Sequence, residues 1–187
     1  MTAARYIALA LFAIAFGLEE AIIVVYLRDL PSFQTQAYAL EMVREACTLV
    51  VIAAVAYLTV SSAGLRVRAF CFAFGVWDIV YYIGLARLSG FPTIKDDDVL
   101  FLIPVPWVAP VWSAIAFAFA LVLIGLFGTA APRRGLLIAG FGLGLFSFVY
   151  RALFDVQAYP LWLFVVAFSL VLCALPIGNV PERLRQF

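Results

Sequence analysis

The sequence predicts an all-α integral membrane protein, a bundle of six transmembrane helices, and three observations predict it. The first is composition: of 187 residues, 67% are hydrophobic and only 12% charged, where soluble domains run at roughly 45 to 50% and about 25%. A water-facing globule of this size has too little interior to bury so much apolar side chain. The mean hydropathy of +1.13 says the same, so the bilayer is the main solvent. The second is length: apolar segments fall at about 6–27, 39–60, 69–88, 107–129, 135–152 and 157–177, each close to the roughly 20 residues that a spanning helix needs. The third is the turn chemistry between them, rich in Pro, Gly and Ser.

Each element can be justified in order. The opening MTAARYIALALFAIAFG has the look of a signal peptide, with Arg5 as its charged region and Ala13 and Ala15 as a cleavage-like pair. The apolar run nevertheless resumes after Glu19 and Glu20 as AIIVVYL and ends at Arg28, so a spanning helix is expected instead. Leu30-Pro31-Ser32 separates the first span from the second, and Ser61-Ser62-Ala63-Gly64 separates the second from the third. The third ends at Ser89-Gly90-Phe91-Pro92. The stretch from Val99 to Trp107 is apolar, but Pro104 and Pro106 remove two backbone donors and bias Ile103 and Val105 toward extended geometry. A broken or re-entrant segment before the fourth helix is therefore expected, folding back over the outer end of the bundle, with an interfacial segment anchored by Trp107 and Trp112 as the alternative. Pro132 closes the fourth span and Pro160 lies near the start of the sixth. In the fifth, Gly140 and Gly144 stand in GxxxG spacing, which favours close packing within the bundle over a dimer contact. Loops are short and no repeat is visible, so residues 1–187 are expected to form one transmembrane domain.

Charge and residue usage exclude several functions. Twelve Lys and Arg against eleven Asp and Glu give a formal +1, and the arginines are scattered, so nucleic-acid binding has no basic groove to rest on. With no histidine, the commonest metal ligand, haem ligand and general base are all missing. No cofactor is expected, and the many aromatics are assigned no cofactor role. Cys47, Cys71 and Cys173 lie alone in apolar stretches and read as small buried hydrophobes. Counting basic residues near span ends sets orientation: Arg5, Arg66, Arg68, Arg133, Arg134, Arg183 and Arg185 fall on one side, and Arg28, Arg44, Arg87, Lys95 and Arg151 on the other. The bias places both termini in the cytoplasm.

The candidate functional residues are the acids that a membrane should not tolerate. Glu19 and Glu20 in the first span and Asp78 in the third lie well inside, where a charge costs about 2.5 to 3.5 kcal/mol on insertion scales. At about 1.5 Å per residue, Glu19 and Glu20 sit roughly 10 to 12 Å below the outer end of their helix, and Asp78 at similar depth. In the second span Glu41 and Glu45 are four apart on one face, with Arg44 beside them. Asp78 has Tyr81 and Tyr82 at i+3 and i+4, and Tyr26 stands in line above Glu19 at i+7; tyrosine hydroxyls can donate to carboxylates. These spacings predict a polar pocket built from Glu19, Glu20, Glu45, Asp78, Tyr81, Tyr82 and Tyr26, with Arg28, Glu41, Arg44, Arg151 and Asp155 at its mouth. A metal, if one binds, would fall to Glu20, Glu45 and Asp78. The competing reading is that the acids and arginines only lock helices together. Against that, acids outnumber bases at depth, and surplus carboxylates must take up protons, bind a cation or meet a cationic ligand group.

The strings FGLEEAIIVVYLR (Phe16 to Arg28), LEMVREACT (Leu40 to Thr48), FGVWDIVYY (Phe74 to Tyr82) and LFLIPVPWVAPV (Leu100 to Val111) resemble a family of small, uncharacterised bacterial polytopic membrane proteins over about the first two thirds of the chain. The resemblance implies a bacterial inner-membrane location and no particular chemistry. Membrane proteases of the CAAX type share the paired glutamates, but their pattern needs an arginine where this chain has Val24, and histidines that it lacks.

Three functions follow as expectations. The first is a carboxylate pocket opening to the outer face that binds a proton, a hard cation or an amine-bearing small molecule, including as a transport step. The second is a non-catalytic accessory or assembly subunit of a larger membrane complex. The third is a membrane-embedded enzyme acting on a lipid with Glu or Asp as acid and base. The expected partners are the lipid bilayer and other membrane subunits or further copies of the chain.

Overall fold

A computed structural model describes residues 1–28, 33–128, 133–154 and 157–174. The described residues are all-α, about 80% helical, with six helices and one short hairpin. In chain order these are α1 (Ala3–Arg28), α2 (Phe33–Thr59), α3 (Ala63–Ser89), β1 (Asp97–Phe101), β2 (Trp107–Pro110), α4 (Val111–Phe127), α5 (Arg134–Phe154) and α6 (Leu161–Ala174). Among the described residues, three helices have the length and apolarity to cross a membrane: Ala3–Arg28, Ala63–Ser89 and the Gly135–Phe154 part of α5. Helix α4 has 17 residues and α6 has 14 among those described, fewer than the roughly 20 of an untilted span.

Helix α3 is the central element, with α1 and α4 against it and α2 alongside. Ser62 caps its start by accepting from the Leu65 N–H at 3.4 Å, and Gly90 ends it in the left-handed region at φ 72°, a conformation that costs glycine nothing. Close approach of the three helices is written in glycine. A Cβ on Gly75 would stand 2.4 Å from the Ala118 carbonyl, and one on Gly125 would stand 2.5 Å from the Phe72 Cβ, so α3 and α4 meet backbone to backbone. On α1 the buried Ala13, Gly17 and Ala21 form the matching small-residue face. Gly140 and Gly144 also serve internal packing: Gly140 lies under Ala167 and Val171 of α6, and Gly144 under the ring of Phe117 in α4. Phe117 is buried and meets Phe141, Phe148 and Phe164 edge to face. Through these rings α5 and α6 join the other helices.

The segment before α4 is the main departure from the expected fold. In place of a broken helix or a re-entrant loop, residues 97–110 form a two-stranded antiparallel hairpin, pairing Asp97 with Pro110, Asp98 with Ala109, Val99 with Val108 and Phe101 with Trp107. The prolines that forbid helix leave extended backbone whose donors and acceptors need a partner, and the two arms satisfy each other. Helix α4 consequently begins at Val111, not near residue 107, with Pro110 as its N-cap. Of the three cysteines, Cys47 and Cys173 are exposed and Cys71 is partly buried, so only Cys71 approaches the expected interior role.

Candidate functional site

Under the hairpin, between α1, α2 and α3, lies a cavity of about 430 Å³. Five acids line it, Glu20, Glu41, Glu45, Asp78 and Asp98, with two bases, Arg28 and Arg44. Most of these charges are satisfied within the chain. Arg44 pairs with both Glu20 and Glu41, its Nε donating to Glu41 at 2.9 Å. Glu20 is buried and also accepts from the Thr48 hydroxyl at 2.7 Å. Glu45, likewise buried, accepts from the backbone N–H of Leu102 at 2.8 Å, which ties α2 to the hairpin just beyond β1. Arg28, the last residue of α1, donates to both oxygens of Asp98 at 3.2 Å and lies over the Phe91 ring at 5.4 Å. Burial pushes the Asp98 carboxyl above the usual range, and Arg28 and the Val99 N–H draw it partly back.

Asp78 is different. It lines the cavity from the middle of α3 and, among the described residues, makes no hydrogen bond and no ion pair. Around it the wall is aromatic. Trp77 and Tyr81 stack with centroids 5.8 Å apart and planes 13° apart, and Phe101 of β1 lies 6.4 Å from Trp77. Trp77 is buried and its indole N–H has no hydrogen-bond partner.

The structure thus brings together Glu20, Glu45, Asp78 and Tyr81, with Glu41, Arg44 and Arg28 around them. Four expected members lie elsewhere. Glu19 is exposed on the outward face of α1, because neighbours on a helix point about 100° apart and only one of Glu19 and Glu20 can turn inward. Tyr26 is 69% exposed; it does share the Glu19 face, as the spacing implied, but that face is the outer one. Tyr82 is buried against Val111 and Ala114 of α4, on the far side of α3. Arg151 pairs with Asp97 and holds the hairpin from α5 without lining the cavity. Asp155 lies outside the described residues. The metal set of Glu20, Glu45 and Asp78 is not assembled: among the described residues no three His, Cys, Asp or Glu come together in a way that could hold a metal ion.

Several contributors escaped the sequence reading, namely Thr48, Trp77, Phe91, Phe101, Asp98 and the Leu102 backbone. Thr48 carried a signal, since it follows Glu45 by three residues and Arg44 by four on one helical face. Trp77 is the chain neighbour of Asp78 on α3, whereas Phe91, Phe101, Asp98 and the Leu102 backbone depend on how the hairpin folds over the bundle, which no local pattern specifies.

A second cavity, of about 830 Å³, opens at the opposite end between α3, α4 and α5. It is lined mainly by apolar side chains such as Leu121, Ile124, Leu137 and Phe141, with Arg68 at its edge. The Arg68 Nε donates to the Gly125 carbonyl at 3.2 Å, and its Nη2 donates to the Leu126 carbonyl at 2.6 Å and to the Tyr6 hydroxyl at 3.1 Å. Tyr6 in turn donates to the Gly125 carbonyl at 2.8 Å. Three groups thereby close the last turn of α4, where carbonyls lack helical donors.

Compared with known proteins, the chain matches no protein-family model, no curated protein and no solved structure.

Proposed function

We propose that the protein is a bacterial inner-membrane protein, crossing the bilayer six times with both termini cytoplasmic, whose cavity under the hairpin opens to the outer face and binds a proton or a cationic ligand, including as a step in transport. The observation that carries this reading is Asp78: a carboxylate in a cavity wall with no partner among the described residues, where the neighbouring acids are paired or hydrogen-bonded. Buried charge without compensation is costly, so a group that is left over invites a positive partner. The hairpin, held by Arg28, Arg151 and the Leu102 amide, gives the site a cover that ligand exchange would have to move. The membrane assignment is supported by the three long apolar helices and by the composition, and the bacterial location by the resemblance of its strings to small bacterial membrane proteins.

The test is thermal unfolding of the purified chain across pH and a panel of monovalent, divalent and organic cations, comparing wild type with Asp78→Asn and Glu20→Gln. A ligand that binds only the folded state raises stability by about 2.7 kcal/mol at a hundredfold excess over Kd. The expected outcome is a cation-dependent rise that Asp78→Asn removes; a response identical in wild type and Asp78→Asn would sink the proposal.

A second reading, a subunit of a larger membrane complex, has one specific observation in its favour. Glu19 stands on an outward face beside the exposed Leu11, Leu18 and Ile22, at a depth where a lone carboxylate is unfavourable in lipid. A neighbouring helix that donates a hydrogen bond would relieve it. Gentle solubilisation followed by native mass measurement checks this: co-purifying chains lost in Glu19→Leu support it, and a monomer in both proteins contradicts it.

A further inference from the structure

We infer that the ligand of the hairpin cavity is an organic ammonium compound with an apolar or aromatic body, Asp78 serving as its counter-ion and the rings of Trp77, Tyr81 and Phe101 as its walls; this rests on the reading of the cavity as a cation site and narrows it to one chemical class.

The charge pairing comes first. Arg44 is neutralised by Glu20 and Glu41, and Arg28 by Asp98. Glu45 has the Leu102 amide. Neither guanidinium is therefore free to recruit an anion, and acids outnumber bases in the cavity lining, with Asp78 the one lining carboxylate that has no partner among the described residues. A neutral ligand would leave that carboxylate as it is. A bare divalent ion needs several oxygen ligands converging on one point, and no such group of three forms among the described residues. An ammonium group needs only one carboxylate, because its remaining surface is compensated by the negative faces of aromatic rings.

The wall meets that second need. Trp77 and Tyr81 stack almost parallel, Phe101 of the hairpin lies 6.4 Å from Trp77, and all three rings line the cavity. Val24, Leu27, Val99 and Leu100 complete an apolar lining, which suits the body of an organic molecule and gives a hydrated metal ion nothing. The volume of about 430 Å³ falls in the range of small-molecule sites, about 300 to 1,000 Å³. Because Phe101 belongs to β1, ligand and hairpin hold each other: an occupied site favours the closed hairpin.

The experiment uses the full chain in detergent and two probes of nearly equal shape, phenethylamine, charged near neutral pH, and its neutral counterpart phenethyl alcohol. Binding is read from tryptophan fluorescence and from thermal unfolding, with Mg2+ and Ca2+ titrated separately. The expected result is saturable binding of the amine at least about tenfold tighter than the alcohol. Asp78→Asn should erase that preference, and Phe101→Leu should weaken both probes while leaving their ratio unchanged. Equal binding of amine and alcohol by wild type would overturn the inference. So would an Asp78-dependent response to Mg2+ or Ca2+ with no amine binding, which leaves the cation site standing. A chain that responds to neither amine nor metal, nor to pH through Asp78, overturns both readings. Should Asp78→Asn not fold, the amine-to-alcohol ratio in wild type and the behaviour of Phe101→Leu decide the matter.

Discussion

The two ends of the α1, α3 and α4 stack both carry polar side chains in an apolar molecule, and they use them in opposite ways. At the Arg68 end the cluster is held within the chain: Nε and Nη2 of Arg68 and the Tyr6 hydroxyl together close the carbonyls of Gly125 and Leu126. At the hairpin end the pairing is nearly complete and then stops, leaving Asp78 alone in a cavity wall. The difference teaches how to read polar residues in a membrane protein. A satisfied set stabilises the fold, because removing one member strands the others. An unsatisfied carboxylate detracts from stability and is explained only by something that arrives from outside.

That contrast can be broken or sharpened by substitution. The largest effect is expected from Arg68→Ala, which removes three hydrogen bonds from a charged donor and strands the Leu126 carbonyl, leaving Gly125 and Tyr6 with each other; a loss of about 3 kcal/mol should appear in thermal unfolding, with ligand response at the hairpin cavity unchanged in the folded protein. Next is Gly75→Ala, whose added methyl would sit 2.4 Å from the Ala118 carbonyl. Forcing α3 from α4 should cost about 2 kcal/mol, and it tests the close packing independently of any charge. Smaller is the loosening of the hairpin. Arg28→Ala removes a partly exposed pair worth about 1 kcal/mol or less, and the amides of residues 97–101 should exchange hydrogen faster. Asp98→Asn should disturb stability less than Arg28→Ala does, since burial already raises the Asp98 carboxyl, whereas loss of Arg28 leaves that charge without its partner. Smallest of all is Asp78→Asn, expected to leave unliganded stability unchanged or slightly higher.

Much of the hairpin end was legible in the sequence because helical spacing is local. Glu41 and Glu45 do share a face of α2, and Asp78 and Tyr81 do share one of α3. The rotation of α1 was not legible. Its outward Leu11, Leu18 and Ile22 are as apolar as its inward Leu9 and Val24, so hydrophobic periodicity cannot say whether Glu19 or Glu20 faces the bundle when lipid replaces water on the outside. The stripe of Ala13, Gly17 and Ala21 held the answer, since small residues mark where helices approach. The hairpin and the Arg68 cluster were hidden for another reason: Arg68 meets Tyr6 and Leu126, and Leu102 meets Glu45, across long stretches of sequence. Prolines at 104 and 106 exclude a helix without naming what replaces it.

The central claim is that Asp78 serves a ligand and not the fold. Thermal unfolding of Asp78→Asn beside Arg68→Ala, both without added ligand, tests it most directly. Arg68→Ala is expected to unfold several degrees below wild type and Asp78→Asn at or above it. If Asp78→Asn falls as far as Arg68→Ala, Asp78 is a structural residue and the site is lost.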